Sequence, residues 1–250
     1  MLNDFIMVNK VAIDRTLSRI KNNPIVLILP IIYSIIGSAV SFIINLLLIN
    51  IVSSIFLGFI YPLVFAVVLS SYYKMLSDLN IFNKISTKGI SNSFTQYLSG
   101  IYSVYFLLFL INYLSQGLGN LHIVILFVIF VVFNPMAETI YIRNESYTSA
   151  FMYCIEFMKE NFIHWIIPLV LYLGIGYIVH IHPIFFIYSR TILDLHLGAI
   201  LGLSLSSIKL NYIIFQIITA VYVVYRGALF SILNGSSLRK RNYMGGIKWF

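Results

Sequence analysis

The stretch NNPIVLILPIIYSIIGSAVSFIINLLLINIVSSIFLGFIYPLVFAVVLSSYY, residues 22–73, contains no Asp, Glu, Lys or Arg in 52 positions. As a single α-helix it would be about 78 Å long at 1.5 Å per residue. The hydrocarbon core of a bilayer is only about 30 Å thick. The stretch therefore predicts two membrane-spanning helices that form a hairpin. Its turn is expected near residues 45–54, where Asn and Ser side chains are concentrated.

The rest of the 250-residue chain has the same character, with 60% hydrophobic and 10% charged residues. An ordinary soluble domain has about 25% charged residues. So few charges cannot cover a water-exposed surface, which excludes a soluble enzyme and a disordered protein. The one cysteine, Cys154, excludes a disulfide-stapled fold and a cysteine-based zinc cluster. We predict an all-α, multi-pass protein of the plasma membrane, without a cofactor.

Two more hairpins follow the first. Residues 89–137 again lack Asp, Glu, Lys and Arg over 49 positions, and SQGLGN at 115–120 is a turn-forming cluster. A third hairpin begins at Asn161, passes through a mixed segment after Pro183 and returns from Lys209. The sequence therefore predicts six spans, at residues 24–45, 53–73, 97–116, 121–142, 162–181 and 209–232.

The basic residues predict the orientation of these spans. With both termini in the cytoplasm, 14 of the 16 Lys and Arg residues lie on the cytoplasmic side, and only Arg190 and Lys209 lie outside. Cytoplasmic loops of membrane proteins carry an excess of Lys and Arg. The formal net charge of +8 therefore reflects orientation, and we expect no nucleic-acid partner.

Each hairpin is preceded by a predicted amphipathic helix on the cytoplasmic side. In residues 2–21, Ile6, Ile13, Leu17 and Ile20 share one helical face. Residues 148–161 and, more weakly, 81–98 show the same spacing, and such helices lie in the headgroup layer. The predicted units are 1–73, 74–143 and 144–233, the last with an external segment at 182–208, followed by a basic cytoplasmic tail at 234–250.

The junctions between interfacial helix and span resemble one another. Lys21, Asn23 and Pro30 recur, each 138 residues later, as Lys159, Asn161 and Pro168. A fixed offset of this kind is a cue to internal repetition. We therefore interpret the chain as three copies of one unit, an interfacial helix followed by a hairpin.

Three short motifs carry a resemblance to a known family plan: RTLSRIKNNP at residues 15–24, NPMAE at 134–138 and KENF at 159–162. They resemble poorly characterised six-helix bacterial membrane proteins, among them the membrane domain fused to some glycerophosphodiester phosphodiesterases. The resemblance covers most of the chain and implies the architecture. This sequence contains no soluble phosphodiesterase domain, so the resemblance does not imply that activity.

Glu138, His164 and Arg226 are predicted to lie at similar depth near the cytoplasmic face. Ionisable groups inside a membrane are costly and usually paired, so they are candidates for function. Together they form a candidate polar cluster that binds a headgroup or relays a proton. The alternative is that Arg226 extends to the headgroups and Glu138 is hydrogen-bonded at a helix end. We favour the alternative because all three residues are predicted near the interface.

Four residues are predicted on the external side: His180, His182, Asp194 and His196. Imidazole nitrogens and a carboxylate are suitable ligands for zinc. However, His-x-His suits a strand better than a helix, and Pro183 follows at once. The four residues are weak candidates for a metal site, and we expect interfacial histidines without a metal.

Two further motifs concern packing and lipid. Gly198, Gly202 and Ser206 are four residues apart, a spacing that allows helices to approach closely in a membrane. They fit either a short re-entrant helix or an early start of span six. In the tail, Arg239, Lys240 and Arg241 are a candidate site of contact with anionic lipid.

The sequence contains no metalloprotease, serine-hydrolase, nucleotide-binding or dithiol motif. We therefore favour a non-enzymatic integral membrane protein, an accessory, scaffold or lipid-contacting component. One alternative is the permease subunit of an ATP-driven exporter, with residues 74–98 as the surface for a cytosolic ATPase. Another is a lipid-acting enzyme that uses Glu138, His164 or the external histidines. Membrane lipids are the expected partners, a cytosolic ATPase or another membrane subunit is a further candidate partner, and the sequence leaves the oligomeric state open.

Overall fold

The fold of the chain was analysed in a computed structural model that describes residues 2–48, 54–85, 90–182, 192–201 and 208–235. All regular structure within these ranges is helical, which confirms the all-α class. The helices are α1 (Leu2–Asn22), α2 (Leu29–Leu48), α3 (Ser54–Phe82), α4 (Ile90–Gln96), α5 (Leu98–Ser115), α6 (Asn120–Val132), α7 (Met136–Tyr141), α8 (Tyr147–Ile178) and α9 (Leu210–Gly235). Short 3₁₀ turns occupy Pro24–Leu27, Gln116–Leu118 and Asp194–Leu197.

Five of these helices, α2, α3, α5, α8 and α9, are long and apolar enough to cross a membrane. The predicted fourth span, 121–142, is not one helix. It consists of α6, a turn at 133–135 and α7. Pro135 lies in this turn, where its ring fixes the backbone and it has no N–H to donate. Alone, α6 is about 20 Å long, less than the hydrocarbon thickness.

The end of α3 differs from the prediction. The helix runs nine residues past the predicted end at 73, to Phe82. Its charges are accommodated because Lys74 forms an ion pair with Asp78 one helical turn later. The predicted interfacial helix 81–98 is therefore wrong at its start, since Ile81 and Phe82 end α3 and the next described helix is α4, from Ile90.

The predicted interfacial helix 148–161 and span 162–181 form one helix, α8, that is bent at the predicted junction. Asn161 has non-helical dihedrals, φ −124° and ψ 18°. Its side-chain amide donates to the carbonyl oxygen of Phe157 at 3.1 Å. Asn23, at the end of α1, makes the same bond to the carbonyl of Arg19 at 3.3 Å. The two equivalent asparagines thus interact in the same way with the preceding turn.

Helix α1 has three faces. One is packed against the bundle, mainly on α9, and includes Val8, Ala12 and Arg19. A second is apolar and open, with Ile6 and Leu17 56% and 61% exposed. The third carries exposed charged residues. The predicted apolar face is therefore the outward one, and a separate face attaches the helix to the protein.

Two ends of the bundle can be defined by contacts. At the α1 end, the Arg19 Nη2 atom donates to the carbonyl oxygen of Asn80 near the end of α3, at 2.8 Å. Burial lowers the pKa of the Arg19 guanidinium, and Tyr141 acts in the opposite direction. At the α8–α9 end, the Asn211 side chain donates to the carbonyl of Val179 at 3.0 Å. Large apolar side chains cover the exterior between these ends, as expected of a lipid-facing surface.

Candidate functional site

The interior of the protein contains an ion pair between Glu138 of α7 and Arg226 of α9. Arg226 Nε donates to Glu138 Oε1 at 2.8 Å, and Nη2 donates to Oε2 at 2.7 Å. Nη2 also donates to the carbonyl of Asn134 at 2.7 Å. Arg226 is 1% exposed and Glu138 is 0% exposed. The expectation that Arg226 extends to the headgroups is therefore wrong: its side chain turns inward because a carboxylate and a carbonyl meet it there.

Aromatic rings enclose the Arg226 guanidinium. It lies 4.8 Å from the ring centroid of Trp165 and 5.6 Å from that of Tyr222. These distances are within the range of cation–π attraction, which is strongest without water. Trp165 is held in place because its Nε1 donates to Asn134 Oδ1 at 2.9 Å. Asn134 thus supports both the charged group and the ring that covers it.

His196 is the third member of this centre, and the sequence placed it on the outside. Its Nε2 atom lies 2.8 Å from Glu138 Oε1, and the residue is fully buried. A carboxylate can only accept here, so Nε2 carries the proton. Tyr73 and Tyr141 meet the imidazole edge-on, at centroid distances of 5.8 and 6.3 Å. The external position predicted for His196 is therefore wrong.

His196 reaches this depth because residues 192–201, here called the central segment, enter the bundle. They lie between the two helices of the third hairpin in sequence and are all buried. Arg226, at the level of His196, is 16 residues along α9 from Leu210, about 24 Å from the α8–α9 end. The described part of the predicted external stretch thus lies inside the bundle and contains the 3₁₀ turn Asp194–Leu197.

The backbone of the central segment is satisfied by side chains of the surrounding helices. Non-helical backbone at membrane depth is tolerated only where protein or a cavity surrounds it. Four side chains provide this environment: the hydroxyl groups of Tyr73, Tyr72 and Ser34 donate to the carbonyls of residues 193, 196 and 197, and Gln216 Oε1 accepts from the amide of residue 199. The loop is therefore a fixed part of the core.

Gly198 is required where the central segment passes α9. Its φ is +65°, in the left-handed region, and a Cβ atom there would collide with Gln216 and would lie 2.9 Å from Thr219 Oγ1. It follows a 3₁₀ turn, so the prediction of a small-residue helix face starting at Gly198 is wrong for this residue. Gly202 and Ser206 lie outside the described residues.

A second buried acid, Asp194, lies in the central segment and accepts a hydrogen bond from the Tyr105 hydroxyl of α5. Asp194 is 8% exposed. It is therefore held inside the bundle on the α5 side, while His196 is bound on the α7 side. The two residues that sequence grouped as ligands attach the central segment to two different helices.

His164 does not belong to the same centre. Its Nε2 atom lies 3.1 Å from Asp4 Oδ2, with both side chains at most 5% exposed. Phe5 packs on the imidazole at a centroid distance of 5.6 Å. The pair joins the start of α1 to α8. The predicted cluster is thus divided, because α1 supplies a carboxylate to His164 and the central segment supplies an imidazole to Glu138.

The weak metal candidates are not brought together. His180 and His182 are exposed at the α8–α9 end, while Asp194 and His196 are buried in the centre. Within the described ranges, no three His, Cys, Asp or Glu residues are grouped as metal ligands. The grouping of these four residues is therefore wrong. The proposed lipid-contact residues Arg239, Lys240 and Arg241 lie outside the described residues.

An apolar groove lies beside the ion-pair centre, between α1, α8 and α9. Its volume is 510 Å³, within the about 300–1,000 Å³ typical of ligand sites. Ile13, Leu171 and Val221 are among its lining residues, one from each helix. Tyr172 and Tyr222 form its inner wall, stacked at 4.1 Å between centroids. Tyr222 thus faces the groove and also contacts Arg226.

Sequence reasoning missed the residues that hold the central segment. Tyr72, Tyr73 and Gln216 are polar residues in apolar helices. Their presence there was the one signal in the sequence that these positions have buried hydrogen-bond partners. Polar side chains in spans find partners, because hydrocarbon offers none. Their partners are backbone atoms of a distant loop, and backbone acceptors leave no trace in residue patterns.

Comparison with protein-family models, curated proteins and solved structures found no significant match to the chain. The resemblance to six-helix bacterial membrane proteins therefore stays a prediction.

Proposed function

We propose that this chain is a non-enzymatic integral membrane protein, a lipid-contacting accessory or scaffold component of a bacterial membrane system. The observation that carries the proposal is the environment of its charged residues. Glu138, His196 and Arg226 are each at most 1% exposed, and Glu138 accepts hydrogen bonds from both of the others. These bonds serve to fix the central segment in the bundle.

An enzymatic role for Glu138 has little support. A general acid or base must come within hydrogen-bond reach of the substrate. Both carboxylate oxygens of Glu138 are already bonded to Arg226, and Oε1 also to His196. His164 is similarly occupied by Asp4. Substrate access would require these buried pairs to separate, which leaves buried charges without their partners and is strongly unfavourable.

The proposal includes six crossings with both termini in the cytoplasm. Residues 120–141, comprising α6, the turn and α7, would together make the fourth crossing, with about 20 Å of helix in α6 and about 9 Å in α7. The α1 end, with Arg19 and Lys21, would then face the cytoplasm. Asn23 and Asn161 each donate to the carbonyl four residues earlier, and this common pattern supports a repeated unit of interfacial helix and hairpin.

The orientation is testable with Lys21→Cys and His182→Cys, both at exposed positions. A membrane-impermeant maleimide should label His182→Cys in intact cells and Lys21→Cys only in inverted vesicles. Unsubstituted protein is the control, because Cys154 is buried. Labelling of Lys21→Cys in intact cells would refute the orientation.

The function is tested by affinity purification of the tagged protein from its native membrane in mild detergent. Mass spectrometry should identify the chain and bound phospholipid without a stoichiometric ATPase. A stoichiometric ATPase would instead establish the exporter subunit, with residues 74–98 as the first surface to alter. Turnover of added phospholipid by the purified protein, lost in Glu138→Gln protein that remains folded, would establish the enzyme.

A further inference from the structure

The groove between α1, α8 and α9 has the length of one leaflet. Along α8 its lining runs from Ile167 to Ile175, and along α9 from Ile217 to Tyr225. Eight residues of helix correspond to about 12 Å. Half of the hydrocarbon core is about 15 Å. The groove therefore begins near the headgroup level at the α1 end and stops near the membrane centre.

Its polarity changes along this length. At the α1 end, the Tyr225 hydroxyl donates to Asn9 Oδ1. Asn9 Nδ2 donates in turn to the carbonyl of Phe5 at 2.7 Å. Toward the membrane centre, the lining consists of aliphatic residues such as Ile175 and Ile217, 40% and 43% exposed. A polar entrance above a half-open apolar channel matches a molecule with a polar head and a hydrocarbon chain.

Lys10 is the basic residue next to this entrance in sequence. It follows Asn9 in α1, is exposed, and lies outside the groove lining. A basic residue in an interfacial helix is attracted to anionic lipid by about 1 kcal/mol. Hydrocarbon itself gives no preference for the groove over bulk lipid, because both are apolar. Retention must come from packing on three helices and from the headgroup contact.

We propose that this groove holds one acyl chain of an anionic phospholipid from the leaflet at the α1 end, with its phosphate beside Asn9 and Lys10. This inference rests on the proposed lipid-contacting function and assigns it a site. The bound chain would lie against the inner wall formed by Tyr172 and Tyr222. It would fill the gap between α1 and the two spans.

The experiment is quantitative mass spectrometry of phospholipid that stays with the purified protein after reconstitution into phosphatidylglycerol vesicles. Unsubstituted protein should retain about one phosphatidylglycerol per chain. Val221→Trp places an indole in the groove and should lower retention about tenfold. The matched control is Val128→Trp, on the exposed surface of α6 and outside the groove lining, which should retain lipid as the unsubstituted protein does.

A second pair of variants tests the headgroup contact. In mixed vesicles of phosphatidylglycerol and phosphatidylcholine, Lys10→Gln should reduce the preference for phosphatidylglycerol about fivefold. Lys21→Gln, also exposed and about 16 Å further along α1, is the matched control and should leave the preference unchanged.

Several results would overturn the proposal. Equal retention by Val221→Trp and Val128→Trp would place the lipid elsewhere and leave the lipid-contacting function standing. Loss of a dimer in Val221→Trp, with no lipid on the unsubstituted protein, would make a second copy the occupant. An ATPase in the preparation refutes the proposed function whatever the groove holds. Folding of Val221→Trp is checked by thermal denaturation. If that variant does not fold, Leu171→Trp, also in the groove, is used in its place.

Discussion

Replacing Glu138 by Gln should destabilise the protein strongly. Glu138 accepts three bonds of 2.7–2.8 Å from Arg226 and His196. The variant would leave the Arg226 guanidinium buried without its counter-charge. Removing one partner of a buried pair costs about 3–5 kcal/mol. For a domain of this size, that free energy lowers Tm by about 6–20 °C, at about 2–4 °C per kcal/mol.

The assay can use Cys154, the chain's one cysteine. It is fully buried, and its Sγ atom contacts Thr139 of α7 at 3.4 Å. A thiol-reactive fluorophore therefore reports unfolding next to the helix that carries Glu138. Heating the protein in detergent with the fluorophore gives Tm for each variant under identical conditions.

The matched control is Glu145→Gln. Glu145 pairs with Arg143 at 3.4 Å, with side chains 28% and 38% exposed. Exposed pairs contribute about 0–1 kcal/mol, so Tm should fall by at most about 4 °C. The double variant Glu138→Gln, Arg226→Gln removes both buried charges and should be more stable than Glu138→Gln alone. A Tm for Glu138→Gln equal to that of Glu145→Gln, or a double variant less stable than either single one, would refute this role of the ion pair.

Two further predictions concern the central segment, with the same assay. Gly198→Ala should lower stability by about 1–3 kcal/mol, because φ is +65° and the new methyl group meets Gln216. The control, Gly174→Ala in α8, meets no atom within 4 Å and should leave stability unchanged or raise it by up to about 1 kcal/mol. Equal losses in the two variants would contradict the backbone argument. His196→Leu should cost about 1–3 kcal/mol and the exposed His182→Leu nothing, because of these two histidines it is His196 that bonds a buried carboxylate. A chelator should leave the Tm of the unsubstituted protein unchanged, and a fall in Tm with both chelator and His182→Leu would restore the external metal site.

The sequence predicts depth in the membrane better than it predicts contacts. Charge-free runs and turn clusters placed the apolar helices, because burial in lipid needs only composition and length. They also placed Glu138 and Arg226 at similar depth, and the structure pairs these residues. They did not reveal that α3 continues past Lys74. The charged residues Lys74 and Asp78 remain part of the helix because they form an ion pair one turn apart.

The sequence did not predict which neighbouring helix a side chain faces. It also did not predict the path of a backbone segment that lacks a regular period. His164 was grouped with Glu138 by depth, yet it faces α1 and pairs with Asp4. His196 stands in a stretch without helical period, so no pattern indicates that it re-enters the bundle. The reason is physical: a re-entrant loop is stabilised by backbone acceptors and by donors on other helices, and the sequence shows only the donors.

The arrangement of α9 connects the ion-pair centre with the groove. Gln216, Thr219 and Arg226 are fully or nearly fully buried and face the interior, whereas Val221 and Tyr225 line the groove. Both sets recur at helical spacing on one helix, so one face holds the central segment and another meets lipid. Substitutions on the two faces should therefore separate. Variants on the inner face should lower Tm with lipid retention per folded chain unchanged, and variants on the groove face should lower retention with Tm nearly unchanged. A groove variant that lowers both equally would mean that the bound chain is a structural part of the fold.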